Sequence, residues 1–183
     1  MNLNERLIEI AGRSRRYASF FYYPKKEIAE LGIVQTLLEA IGRDCEIREM
    51  RIFSEDPPDV IVVDKEDNKL GFEITELVDR NTLEQVAKGV LAVKTWDSEE
   101  VIRRVGEIIK KKDLKGFRGE PYARRALVIF TDEPDLAPTS HMQPLKESTF
   151  PATRHFDEAY FLFSFDPIVE CYPFVRLRLS GMP

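Results

Sequence analysis

The stretch that decides the predicted fold is PDVIVVDKEDNKLGFEIT, residues Pro58 to Thr75. Val60 to Val63 is a short run of β-branched apolar residues, which is typical of a buried strand. Asp64 to Lys69 carries the Asp and Asn residues that favour a turn, and Leu70 to Leu77 is apolar enough to form the next strand. The segment therefore predicts a β-hairpin.

This hairpin brings two acidic residues together. With the turn centred near Glu66, facing residues have numbers that sum to about 132 or 133, and Asp59 and Glu73 meet that condition. Side chains alternate along a strand, so Glu73 and Thr75 share one face. The opposite, core-facing side carries Leu70, Phe72 and Ile74.

Two partly buried carboxylates repel each other unless one keeps its proton or a cation lies between them. Oxygen ligands of this kind suit Mg²⁺ or Mn²⁺ better than zinc. The pair Asp59 and Glu73 therefore predicts a divalent-metal site. Two plainer interpretations stay open: Asp59 as a turn residue, and Glu73 as one partner of a structural ion pair.

Helical and extended segments alternate around the hairpin. Apolar residues recur every three or four positions from Lys25 to Ile41, which predicts a helix that ends at Gly42. Further helices are predicted at Leu3 to Arg16, Leu83 to Val93 and Ser98 to Lys112, and further strands at Cys45 to Phe53 (a sheet edge), Ala126 to Phe130, Phe156 to Phe165 and Tyr172 to Leu179. Glu133 to Pro151 is expected to be a long loop with at most a short helix. The order predicts an α/β fold, a mixed central β-sheet flanked by helices, with a parallel crossover after the hairpin.

The residues Pro58-Asp59 and Glu73-Ile74-Thr75 on adjoining strands resemble the signature of the PD-(D/E)XK nuclease superfamily. The resemblance implies a restriction-endonuclease-like fold and Mg²⁺- or Mn²⁺-dependent hydrolysis of nucleic-acid phosphodiesters. It assigns Asp59, Glu73 and the Ile74 carbonyl as metal ligands. The preceding helix often supplies a further acid, which would be Glu30 or else Glu27. Taken alone, Glu30 is better interpreted as a solvated helix residue.

One position departs from the pattern, because Thr75 stands where the family has a lysine. A threonine hydroxyl can hold a water molecule but supplies no positive charge. Candidate replacements are Lys88, Lys94 and the cluster Lys110 to Lys112, on the helices after the signature strand. The alternative is an inactive protein of the same fold that serves as a nucleic-acid-binding or protein-interaction module.

Length and charge restrict the remaining expectations. The 183 residues predict one nuclease-like domain: a helical appendage (1–24), a core (25–130), and a loop with C-terminal strands (131–183). A net charge of −5 argues against a protein that coats nucleic acid with its whole surface. We expect nucleic acid as the partner, DNA rather than RNA. We also expect a second subunit, such as a homodimer partner, to help bind it. No apolar run approaches the roughly 18 residues of a membrane span, so no membrane partner is expected.

The other reactive residue types give no site motif. Without an export signal, Cys45 and Cys171 predict reduced, partly buried thiols in a cytoplasmic protein. His141 and His155 are interpreted as surface or loop residues. Trp96 and the aromatic patch Tyr17 to Tyr23 could stack on bases but are better explained as core residues. The basic clusters are Arg13, Arg15 and Arg16, and Lys110, Lys111, Lys112 and Lys115, interpreted as solvated helix ends.

Overall fold

A computed structural model describes residues 26–53, 57–89, 94–118, 121–133, 135–166 and 168–181. The predicted helix Leu3 to Arg16, the patch Tyr17 to Tyr23 and the first arginine cluster lie outside these residues. The helices are α1 (Lys26–Ala40), α2 (Arg80–Ala87), α3 (Ser98–Asp113) and α4 (Pro138–Glu147), with a 3₁₀ turn at Asp44–Glu46. The strands are β1 (Ile47–Ile52), β2 (Val60–Asp64), β3 (Lys69–Glu76), β4 (Arg124–Phe130), β5 (Thr149–Phe150), β6 (Glu158–Leu162), β7 (Phe174–Arg176) and β8 (Arg178–Leu179).

Six strands form one mixed sheet in the order β1-β2-β3-β4-β6-β7, and β5 and β8 form a separate pair. The outer pairings are antiparallel, whereas β3-β4 and β4-β6 are parallel. The predicted α/β class and the parallel crossover after the hairpin are therefore confirmed. The likeness to restriction endonucleases stays a prediction.

The hairpin has the predicted register. Val60 faces Phe72 and Val62 faces Leu70, and both pairs sum to 132. In the turn, Asp64 Oδ1 accepts from the backbone N–H groups of Glu66 and Asn68, at 2.9 Å each. This is the local hydrogen bonding for which Asp is favoured in turns. The edge position predicted for the strand around residues 45–53 is also confirmed, since β1 pairs with β2 alone among the described strands.

Helix α1 covers one face of the sheet. Its residues Ile33, Val34 and Leu37 are almost fully buried and pack in one cluster with residues of β2, β3, β4 and β6. After the helix, Gly42 takes a left-handed φ of +70°, and the next N–H, of Arg43, donates to the Leu38 carbonyl at 2.8 Å. Such a glycine ends a helix by satisfying carbonyls of the last turn.

Helices α3 and α4 cover the opposite face. Val101, Val105 and Ile109 recur every four residues on α3 and are fully buried against residues of β4 and β6. Asp97 begins the helix, because its carboxylate accepts from the backbone N–H groups of Glu99 and Glu100 at 2.8 and 3.0 Å. Both faces of the central strands are thus buried, as expected for parallel strands.

The segment expected to be a long loop contains the short helix that was left open there, α4, with ten residues. The C-terminal third differs from the sequence-based expectation in two places. His141, expected at the surface, is 3% exposed on that helix, and its Nδ1 lies 3.2 Å from Ser98 Oγ. Cys171, expected to be partly buried, is a free, exposed thiol. Among the described residues, no helix is long and apolar enough to cross a membrane.

Candidate active site

The candidate site lies where β2 begins beside β3. The last residue pair of the two strands is Val60 with Phe72, and Asp59 N–H still donates to the Phe72 carbonyl at 3.0 Å. One step further, the Ile74 N–H donates instead to the side chain of Asp59, with 2.7 Å between N and Oδ2. If β2 extended further, a backbone carbonyl would accept this hydrogen bond. Here the Asp59 carboxylate accepts it instead. Asp59 lies in the bend just before β2, as its interpretation as a turn residue predicted, and it is only 5% exposed.

Glu30 and Lys26 of helix α1 reach the other side of Asp59. Lys26 Nζ lies 3.0 Å from Glu30 Oε1 and 3.6 Å from Asp59 Oδ1. Glu30 is 3% exposed, so the interpretation as a solvated helix residue is wrong, whereas Glu27 of the same helix is exposed. Burial first, and then the charge of Asp59, raise the pKa of Glu30 to about 7. Glu30 is therefore suited to hold a proton beside Asp59 near neutral pH.

Glu73 and Lys112 form the second half of the site. Glu73 is 1% exposed in the middle of β3, and Lys112 Nζ lies 2.6 Å from its Oε1. The same ammonium donates to the Ile74 carbonyl at 3.2 Å. The N–H and the C=O of one residue in a strand point to the same side. Ile74 therefore links both halves, because its N–H binds Asp59 and its carbonyl binds Lys112.

Among the candidate lysines, only Lys112 contacts a member of the acidic pair, and that member is Glu73. Lys94 is engaged elsewhere, 2.9 Å from Glu100 Oε2 and 4.8 Å from the ring centre of the buried Trp96. Lys88 is exposed in the turn after α2. Lys110 and Lys111 are exposed, as predicted for a solvated helix end, but for Lys112 that interpretation is wrong. Trp96, 4% exposed, is the core residue that the plainer interpretation predicted.

Thr75 contributes little in this arrangement. It is half-buried on β3, opposite Ile129 of β4. By strand alternation it shares the face of Glu73, as predicted. No hydrogen bond of its hydroxyl to another described residue is found, and the positive charge that it lacks reaches Glu73 from Lys112 instead.

The donor atoms are of the type that the predicted metal prefers. Asp59 and Glu73 provide carboxylate oxygens and Ile74 a carbonyl oxygen, the hard donors that Mg²⁺ and Mn²⁺ prefer. Moreover, Glu73 Oε1 and the Ile74 carbonyl already converge on one cation, the Lys112 ammonium. In the described part of the chain, no group of three or more His, Cys, Asp or Glu side chains is arranged to hold a metal ion. The predicted set includes only two such side chains together with a backbone oxygen.

Two residues of this region were missed by the sequence analysis. Lys26 carried a usable signal, because it lies four positions before Glu30 on one helix face. Glu76, at the end of β3, has its pKa raised to about 7, first by burial and then by the nearby Asp132 and Glu133. Nothing in the sequence pattern singles out Glu76, since its environment is created by the loop after β4.

No protein-family model matches this chain, and neither does any curated protein or solved structure. The geometry of the described residues is therefore the observation that bears on function.

Proposed function

We propose that this protein hydrolyses phosphodiester bonds of nucleic acid in a reaction that depends on Mg²⁺ or Mn²⁺. One observation carries the proposal. Two polar groups meet at the backbone of Ile74: the Asp59 carboxylate accepts from its N–H, with Glu30 beside Asp59, and the Lys112 ammonium donates to its carbonyl while it pairs with Glu73. Buried carboxyls at this density are costly for stability, which is typical of sites that serve chemistry.

Each residue has a role in the proposed reaction. Asp59, Glu73 and the Ile74 carbonyl would hold the metal, which when bound supplies charge stabilisation at the phosphate and acidifies bound water. The Lys112 ammonium provides the positive charge that Thr75 cannot, and it is placed to orient the attacking water or to balance phosphate charge. Glu30, with its pKa near 7, is suited to accept or return a proton beside Asp59.

A cleavage assay with matched controls tests the proposal. Supercoiled plasmid, single-stranded DNA and RNA are incubated with Mg²⁺, Mn²⁺ or EDTA. We expect metal-dependent cleavage that falls at least about 100-fold in Asp59→Asn, Glu73→Gln and Lys112→Met. Two matched controls should retain activity: Glu27→Gln changes an exposed glutamate on the helix of Glu30, and Lys110→Met changes an exposed lysine on the helix of Lys112. Cleavage that persists in EDTA or in Glu73→Gln would refute the assignment.

A second candidate function is favoured by one feature of the site. The Lys112 ammonium lies between Glu73 and the Ile74 carbonyl, so the buried charge is already balanced by the chain itself. A site balanced in this way also suits an inactive module that binds nucleic acid or another protein. The two functions differ in their response to metal. A metal that binds only the folded state raises the melting temperature, whereas the inactive module should show no shift with millimolar Mn²⁺.

The finer expectations stay proposals of the same kind. DNA as the preferred substrate, a homodimer and a cytoplasmic location follow from the resemblance and the composition alone. The cleavage assay compares DNA with RNA directly, and sedimentation of the same preparation reports the subunit number.

A further inference from the structure

A group of exposed basic residues lies next to the candidate site. Lys111 lies in the last turn of α3, and Lys115 and Arg118 lie in the segment that follows it. None of the three forms an ion pair with a carboxylate of a described residue. Some cations elsewhere on the described surface are paired, as in Lys94–Glu100, Arg103–Glu107 and Arg125–Asp157, whereas others, such as Lys65 and Lys88, form no ion pair with a described residue.

The backbone holds these residues close to the site. Lys111 directly precedes Lys112, which reaches Glu73, and Lys115 follows in the turn, where its N–H donates to the Lys112 carbonyl at 3.1 Å. The segment then turns over the hairpin, where the Arg118 N–H donates to the Pro57 carbonyl at 2.9 Å. Pro57 lies two residues before Asp59, so the backbone of Arg118 lies close to the start of β2.

Packing fixes this segment above β3. Phe117 lies over Gly71, so closely that a Cβ built on Gly71 would stand 2.6 Å from the ring. The same ring makes edge-to-face contacts with Tyr122 and Phe156, with centroids 5.6 and 5.5 Å away. The basic residues on either side of Phe117 are therefore carried by an anchored segment.

Helix-end electrostatics account for only part of this pattern. Cations in the last turn of a helix are stabilised by its dipole, which explains Lys110 and Lys111. The effect fades within one turn, and Lys115 and Arg118 lie beyond the helix. The segment 111–118 holds Lys111, Lys112, Lys115 and Arg118 against one acid, Asp113, so its local charge is opposite in sign to the net charge of −5 of the whole chain.

We propose that Lys111, Lys115 and Arg118 form a binding surface for the phosphate backbone of nucleic acid, which guides a strand to Glu73 and Ile74. The binding surface stands on its own observations, while the guidance to those two residues rests on the proposed function. Lysine and arginine that neutralise phosphates release condensed counterions, so affinity falls with salt in proportion to the number of contacts.

The test is binding in EDTA, where metal-dependent cleavage is blocked. Fluorescence anisotropy of labelled duplex DNA, single-stranded DNA and RNA is measured between about 50 and 200 mM salt. The triple variant Lys111→Gln/Lys115→Gln/Arg118→Gln should bind duplex at least 10-fold more weakly. The slope of log K against log salt should lessen by about 2 to 3, because each duplex phosphate contact contributes about 0.9. Melting temperatures should stay close to wild type, because all three side chains are exposed.

Two controls make the result specific. Lys110 is two residues from Lys112, about 200° around the helix, and so points away from the site. Lys146 is an exposed lysine in the last turn of α4. The variants Lys110→Gln and Lys146→Gln should bind duplex within about twofold of wild type. The proposal would be overturned if Lys146→Gln lost as much affinity for duplex DNA as the triple variant. It would also be overturned if wild type bound polyglutamate tightly, or if wild type bound no nucleic acid.

The surface and the proposed activity can fail separately. If no condition supports cleavage but the triple variant still loses binding, the surface stands and the inactive module is the function. If cleavage occurs and the triple variant binds and cleaves as wild type does, the surface is refuted and the activity stands.

Discussion

Replacing Lys112 by methionine should destabilise the protein by about 3 kcal/mol. The change keeps the length of the side chain but removes the ammonium that lies 2.6 Å from Glu73 Oε1 and 3.2 Å from the Ile74 carbonyl. The Glu73 side chain is 2% exposed, so its charge would remain in a low-dielectric environment. Removing one partner of a buried ion pair costs roughly 3–5 kcal/mol, and the lower end applies because the Lys112 side chain is 18% exposed.

Thermal unfolding followed by circular dichroism in EDTA measures this effect. For a chain of this size, each kcal/mol shifts the melting temperature by roughly 2–4 °C, so a decrease of about 6–12 °C is expected. Lys110→Met, a neighbouring exposed lysine, should lie within about 0.5 kcal/mol of wild type.

A double-mutant cycle isolates the pair itself. Glu73→Gln removes the buried charge, so the combined Glu73→Gln/Lys112→Met variant should lose about 1–3 kcal/mol less than the sum of the single variants. Strict additivity, or a Lys112→Met variant as stable as Lys110→Met, would refute the argument that this ion pair is energetically significant.

Three further outcomes follow from burial and packing. The pKa of Glu30 is about 7 in the folded protein and about 4.5 when unfolded, so its contribution to stability is complete below about pH 4.5 and is lost as pH rises through 7. Glu30→Gln should therefore become more stable relative to wild type between pH 5 and 8, by up to about 3 kcal/mol in urea unfolding, whereas Glu27→Gln should show no such trend. Gly71→Ala should destabilise by about 1–3 kcal/mol, because the added methyl group meets Phe117 at 2.6 Å. Gly106 lies within helix α3, and a Cβ built on it would have its nearest neighbour, Pro151, at 3.8 Å. Gly106→Ala should therefore leave stability unchanged or raise it by up to about 1 kcal/mol.

The hairpin was predictable because its information is local. An Asp-rich turn between two apolar runs fixes the register, and the register fixes which residues face one another. It gave the correct pairing of Val60 with Phe72. It did not reveal that the Asp59 carboxylate binds the Ile74 N–H, since strand pairing specifies facing positions and not the acceptor of a particular hydrogen bond.

Glu30 illustrates a different limit of the sequence pattern. Its position beside the apolar stripe of α1 left both a solvated and a buried location open. In the structure Glu30 is buried beside Asp59, and that contact joins parts of the chain that are about thirty residues apart. Long-range polar contacts of this kind leave no periodic signal.

Lys112, in contrast, could have been selected from the sequence. The buried positions of α3 are Val101, Val105 and Ile109, and the next position on that stripe is 112. Lys110 and Lys111 fall outside the stripe. A lysine that continues an apolar stripe must place its ammonium beneath the helix end, next to the sheet, and the acid nearest to it there is Glu73.

The charges of the site suggest why this lysine is supplied by a helix. Glu30, Asp59 and Glu73 bring three carboxyl groups, and Lys26 and Lys112 bring two ammonium groups. With Glu30 protonated, the described centre is neutral, which lowers the cost of burying it. A divalent cation would disturb that balance unless an ammonium withdraws or a phosphate enters. Lys112 lies at the last turn of α3 and reaches the site by its side chain alone, so it can withdraw without moving the sheet. A lysine at position 75 would instead have its Cα fixed in the ladder between β3 and β4.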